Sequence, residues 1–326
     1  MILYDQYREE YDELVTLTSR YKQIPESAIR RDYLIVEILE KLLNSEYSEL
    51  CVFKGGTSLS KCYPGTIERF SEDIDLTYIP HESLSDKQYE RILKNIESIM
   101  SKGLCFEKIT EERKQRSKSS YIWKQEKTER IKLEIGSSIR PEPYSKRSIK
   151  TYIHEFLEFN NSFDDIAKYE LNEISLNVLD VSRTFIDKIM AVKRHALCGT
   201  LVDKVRHIYD VVRLYQTDEI NKFIEDKQEF KRIVKITKET DSFYLEKRSI
   251  PKSYNPLGSY NFVSWSNLFN DEIKKIYEGL HIDLLYTNEK QDFNIAVNTF
   301  NEINQLLQSI NEWGLNNSYY INIEVQ

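Results

Sequence analysis

The 326-residue chain has little of what builds metal clusters or disulfide frameworks. Its four cysteines, Cys51, Cys62, Cys105 and Cys198, are scattered and form no CxxC pair. That argues against a disulfide scaffold or a zinc site and for a reducing cytoplasm. The five histidines are also dispersed, with no HxxxH pair. No stretch approaches the run of roughly eighteen apolar residues that a membrane helix needs. The N-terminus, MILYDQYREEYDELV, is acidic and amphipathic, unlike a signal peptide. Excess positive charge is missing as well. A net charge of −7 argues against nonspecific nucleic-acid binding by the whole surface, and leaves local patches open. What is present is the composition of a globular protein, 40 % apolar and 30 % charged, in a length that fits one large domain or two ordinary ones.

Periodicity divides the chain in two. Ser27–Ser45 carries Leu34, Ile35, Ile38, Leu39 and Leu42 at helical spacing. ELCVFK reads as a short buried strand broken by Gly55-Gly56, and TSLSKCY as a helix starting at that turn. EDIDLTYI alternates and is a strand; SDKQYERILKNIESIMSKG is an amphipathic helix ending at Gly103. LCFEKITEER, RIKLEIGSSI and a segment around Tyr121–Trp123 read as further strands. From about Arg183 the pattern is helical, through SRTFIDKIMAVKRHALCG, LVDKVRHIYDVVRLYQ and FNIAVNTFNEINQLLQSINEWG, with SIPKSYNPLGSYN as one long loop. The expectation is an α+β fold: a mixed sheet flanked by helices over residues 1–180, then a helical domain over residues 181–326.

The segment Cys51–Pro80 concentrates the chemistry. On a strand, side chains repeat every second residue, so Ser71, Asp73 and Asp75 share one face while Ile74 and Leu76 point into a core. Two carboxylates about 7 Å apart repel unless something positive lies between them. A hard divalent ion takes oxygen ligands and keeps phosphates in its shell. The glycine turn supplies the other half. Gly55 and Gly56 let backbone N–H groups approach phosphate, and Thr57 and Ser58 add hydroxyls at a helix N-terminus. A turn binding phosphate and a paired-acid strand binding metal together suit an NTP with Mg²⁺ or Mn²⁺. Either half alone is weak, since Gly-Gly is often only a turn and DID only a solvated edge.

The pattern FKGGTSLSK…ERFSEDIDL closely resembles the signature of the AbiEii/AbiGii toxin-like nucleotidyltransferases, within the polymerase-β-type superfamily. DKIMAVKRHA resembles the lysine helix of that family and RHIYDVVRL its downstream Arg-x-x-x-Asp helix, so the likeness runs from Ile29 to Leu214. It implies that Asp73 and Asp75 bind metal and that Gly55, Gly56, Thr57, Ser58 and Ser71 bind nucleotide. It also implies that Lys188 and Asp210 are catalytic, with the helical domain completing the active site. Glu134 is the implied third acid, where the superfamily often has aspartate. The family further implies transfer of NMP from an NTP to an acceptor hydroxyl. RNA is the first acceptor, at the tRNA 3′ end, in a toxin–antitoxin or antiviral defence system with an antitoxin encoded nearby. The alternatives are a small-molecule or protein nucleotidyltransferase, and a non-catalytic nucleotide-binding module. A pure binder has no need of both aspartates.

Two further stretches bear on that expectation. A helix hairpin turning near Gly199–Val202 sets Lys188 about 18 Å before the turn and Asp210 about 15 Å after it, nearly opposite. Spacing alone allows a surface salt-bridge ladder as well as a site, and the resemblance selects the site. His195 and His207 read as structural. Between Arg113 and Lys150 there are twelve Lys/Arg against four Glu, interleaved with Tyr121, Trp123 and Tyr144. This suits a polynucleotide, or simply a solvated strand–loop surface.

Overall fold

The computed structural model describes residues 1–137, 140–245 and 254–320. The last two residues of the strand expected in RIKLEIGSSI, 138 and 139, lie outside the described residues, as do residues 249–253 of the expected loop. The chain divides into two compact units, Met1–Asp180 and Val181–Gln326.

The first unit opens with α1 (Leu3–Gln6), α2 (Arg8–Lys22) and α3 (Glu26–Leu43). Helix α3 buries Ile29, Tyr33, Val36 and Leu39, the apolar stripe that its spacing dictates. Then follow β1 (Cys51–Lys54), α4 (Gly55–Cys62) and β2 (Asp73–Tyr78). Helix α5 (Asp86–Met100) starts at a capping box in which Ser85 and Gln88 satisfy each other's backbone N–H groups. After β3 (Cys105–Lys108), β4 (Ser117–Trp123), β5 (Ile131–Gly136) and β6 (Tyr144–Ile149) come α6 (Tyr152–Phe159), α7 (Phe163–Lys168) and β7 (Ile174–Leu179).

The seven strands form one mixed sheet in the order β3-β4-β5-β2-β1-β7-β6. β2 lies at its centre, antiparallel to β1 and parallel to β5. Ile74, Leu76, Leu133 and Ile135 are buried from these two strands, each side chain contributing about 1.5–3 kcal/mol by leaving water. Their alternation leaves Asp73, Asp75, Lys132 and Glu134 on the opposite face. β6 and β7 were not evident from alternation. β6, YSKRSI, is a largely polar strand at the sheet edge, and β7, ISLNVL, is mostly buried and so does not alternate.

The second unit is helical: α8 (Val181–Leu197), α9 (Arg206–Tyr215), α10 (Asp218–Glu225), α11 (Lys227–Leu245), α12 (Asp271–Asp283) and α13 (Phe293–Tyr320). Helix α8 ends at Gly199, whose φ of +72° suits glycine, and the N–H groups of Gly199 and Thr200 bond back to Ala196 and His195. The core includes an aromatic cluster of Phe262, Trp265, Phe269 and Phe300, largely edge-to-face. Among the described residues, no helix is long and apolar enough to cross a membrane.

Candidate active site

Helix α4 begins at the glycines themselves, two residues earlier than TSLSKCY suggests. Its N-cap, Lys54, is extended and offers no side-chain cap. First-turn N–H groups therefore rely on something other than a capping side chain, and a helix start of this kind favours an anion. Gly55 has φ +88°, and a Cβ there would overlap Asp75 Oδ2. At Gly56 a Cβ would lie 2.5 Å from Arg69 Nη2 and 2.8 Å from Ser71 Oγ. Gly55 is thus required by close approach of the acid strand, and Gly56 by the Arg69 and Ser71 side chains just before it, whatever else binds there.

Ser71 and Thr57 join the two halves. Thr57 Oγ1 lies 2.9 Å from Ser71 Oγ and donates to the Asp73 carbonyl, while Ser58 Oγ donates to the Gly55 carbonyl at 2.9 Å. Thr57 and Ser58 are buried, so their hydroxyls hold the turn from inside. Asp73 and Asp75 are half-buried on one face of β2. Asp75 is paired in the ladders with Lys54 on one side and Glu134 on the other. Its carboxylate has no hydrogen bond or ion pair among the described residues.

Glu134 stands in register beside Asp75, but its carboxylate meets Lys132 Nζ at 2.5 Å, and Lys132 also meets Glu112 at 2.8 Å. Burial would lower the Lys132 pKa. The hydrogen bonds it donates to Glu112 and Glu134 outweigh that, and its ammonium is held above the usual lysine range. Among the described residues no group of three His, Cys, Asp or Glu is placed to hold a metal. Asp73 and Asp75 on one face of β2 are hard oxygen donors of the kind a divalent ion takes together with phosphate and water.

Two residues were overlooked in the motif. Lys54 flanks Asp75 across the ladder and has no carboxylate partner among the described residues. Arg69 is almost fully buried beside Gly56, and its Nη1 donates to the Phe70 carbonyl at 2.8 Å. Lys54 ends the strand at the glycines, a place from which a cation can face phosphate. Nothing in ERFSEDID marks Arg69 as buried.

In the helical unit Lys188 Nζ meets Asp210 Oδ2 at 2.6 Å, linking α8 to α9, with side chains 6 % and 0 % exposed. That burial rules out a solvated surface ladder. His207 Nδ1 lies 3.4 Å from Lys188 Nζ. His195 stacks on His207 and its Nδ1 is 2.8 Å from Thr200 Oγ1.

Much of the basic stretch is paired with acids brought in by the fold. Arg113 pairs with Glu97, Arg116 with Asp86, Lys118 with Glu90 and Lys127 with Glu107. Lys124 pairs with Asp5 and Glu37, Lys146 with Glu49 and Lys150 with Glu158. A count along the chain cannot see partners brought in by the fold. Arg130 instead lies 3.9 Å over the Tyr121 ring.

A family model described as "Nucleotidyl transferase AbiEii toxin, Type IV TA system" matches residues 37–302. No curated protein matches the chain. Among solved structures, the nucleotidyltransferase toxin MenT4 from Mycobacterium tuberculosis H37Rv is similar at 17 % identity and a TM-score of 0.45, over 91 % of this chain and 98 % of that one. JHP933 from Helicobacter pylori is similar at 15 % identity and a TM-score of 0.38, over 91 % and 97 %.

Proposed function

The chain belongs to the AbiEii nucleotidyl transferase toxins of type IV toxin–antitoxin systems, and we propose that it transfers NMP from an NTP to an RNA hydroxyl, the tRNA 3′ end first, with Asp73 and Asp75 as metal ligands. Membership implies an NTP substrate and an antitoxin. The observation that carries the site is Asp75: a half-buried carboxylate with no cation of its own, set against Gly55 at an uncapped helix start.

Each residue then has a task. Asp73 and Asp75 hold the divalent ion. When bound, Mg²⁺ or Mn²⁺ supplies neutralisation of the phosphates and a lowered pKa for the acceptor hydroxyl. The first-turn N–H groups of α4, at Gly55, Gly56, Thr57 and Ser58, orient the phosphates, and Lys54 adds positive charge at the same end. Ser71 and Arg69 fix the turn against the acid strand. Glu134 is the third acid, and its contribution depends on release from Lys132. Lys188 stabilises charge on the transferring phosphoryl or the leaving group, while Asp210 keeps its ammonium charged and aimed.

The acceptor rests on the family resemblance and on stacked side chains such as Arg130 on Tyr121. Because much of the basic segment is paired with acids, a small-molecule or protein hydroxyl is the competing acceptor. Calorimetry tests the site. Mg²⁺ should strengthen NTP binding to the native chain and should do little for Asp75→Asn. Equal metal dependence in the two would overturn the assignment.

A further inference from the structure

A second set of polar groups lies in the helical unit, away from Lys188 and Asp210 in their hydrogen bonding. Lys193 on α8 is buried, with 6 % of its surface exposed, and Lys238 on α11 is half-buried. Their ammonium groups converge on consecutive carbonyls of one loop: Lys193 donates to Ser259 O at 3.2 Å and Lys238 to Gly258 O at 3.0 Å. Neither has a carboxylate partner among the described residues. Asp241, nearby on α11, is already held by Arg194 at 2.6 Å and by the Tyr254 hydroxyl at 2.5 Å.

Each lysine thus has one carbonyl acceptor, and two further polar groups of the same unit have no partner among the described residues. Lys193 Nζ lies 5.5 Å from the Tyr260 ring centroid, and Tyr260 packs edge-on against Trp265 at 5.8 Å. Both residues are essentially buried, and among the described residues neither the Tyr260 hydroxyl nor Trp265 Nε1 has a hydrogen-bond partner. An ammonium carries three donors and no acceptor, and an indole N–H only donates. Each buried donor left unmade costs about 1–3 kcal/mol. Two ammonium groups with carbonyls but no carboxylate among the described residues add to that cost, because burial disfavours the charged form. Burial, with the nearby Lys238, already pushes the Lys193 pKa down to about 8.

Among the described residues, no compact anion rich in acceptors meets these groups. We propose that Lys193 and Lys238 form a phosphate-binding site roofed by the Gly258–Tyr260 loop, distinct from the Asp73–Asp75 metal site. A phosphate supplies negative charge for both lysines and spare oxygens for the neighbouring donors. Lys238, the more exposed, is the entry side. The phosphate comes either from a phosphoanhydride, such as an NTP tail or pyrophosphate, or from an RNA phosphodiester. The site stands whether or not Asp73 and Asp75 bind metal.

The test separates the two sites. Binding of inorganic pyrophosphate is measured by calorimetry on the full chain carrying Asp73→Asn and Asp75→Asn, without divalent ions. Adding Lys193→Met and Lys238→Met should raise Kd at least tenfold. In parallel, lysine acetylation of the native chain is read by mass spectrometry, which needs no lysine variant to fold. Protection of Lys238 by pyrophosphate, threefold or more, assigns the site to a phosphoanhydride; protection by a short single-stranded RNA alone assigns it to a phosphodiester. Unchanged pyrophosphate affinity in the lysine variant together with no protection by either probe overturns the proposal.

Discussion

At the scale of single residues, the buried Lys188–Asp210 pair gives the sharpest expectations. Lys188→Met removes the ammonium that the fully buried Asp210 carboxylate meets at 2.6 Å, while its other contacts, His207 Nδ1 at 4.0 Å among them, remain; the loss is at most about 3–5 kcal/mol. Chemical denaturation of Lys188→Met should show that loss, and Lys188→Met with Asp210→Asn should recover most of it. The double variant should still turn over about 10²–10³-fold more slowly if the lysine acts on the phosphoryl group. Native turnover in a well-folded double variant would make the pair purely structural. The residues of this pair were legible as a motif, but their burial was not: spacing along two helices cannot separate a solvated ladder from a sealed ion pair. The same holds at the turn. Gly55 and Gly56 stood out in the sequence as a phosphate cradle, yet the contacts that require them come from Asp75, Ser71 and Arg69.

Among the elements, two glycines offer a controlled comparison. Gly199 ends α8 at φ +72° with nothing within 4 Å of an added Cβ, so Gly199→Ala should cost only the backbone term, about 1–2 kcal/mol. Gly55→Ala meets the same term and a clash with Asp75, so it should lose more stability and lose NTP binding as well. Equal thermal shifts and unchanged binding would mean that β2 can retreat from α4. Helix α8 also sets the charge of His195. A helix C-terminus ordinarily favours imidazolium, but burial, then Arg194, Lys204 and Arg206, push its pKa down to about 4. The folded value lies below the unfolded one of about 6.5, so the unfolded chain binds more protons between them. The contribution to stability is complete above about pH 6.5 and declines as pH falls towards 4. An NMR titration should find His195 neutral at pH 6; an ordinary midpoint would show that the site is wetter than its packing implies. The helices and the central strands were legible because amphipathic period and turn glycines dominate them. β6 and β7 were not, because a polar edge strand and a buried run carry no alternation.

For the whole molecule, composition and charge were sound guides to class and poor guides to surface. The net charge of −7 holds, but the basic stretch from Arg113 to Lys150 does not stand as a cationic face once acids from α1, α3 and α5 are paired with it. RNA binding should therefore show a shallower salt dependence than twelve free cations would give, which filter binding across a salt series can measure. A steep slope would mean that these ion pairs open on RNA. The family places the chain among nucleotidyltransferase toxins, and the central claim is that nucleotide transfer runs through Asp73 and Asp75. The most direct measurement incubates the purified chain with isotope-labelled NTPs, Mg²⁺ and total RNA, beside Asp75→Asn shown to be folded. Label should enter RNA with the native chain, and none should enter without a divalent ion or with Asp75→Asn. Transfer by Asp75→Asn at the native rate would contradict the central claim.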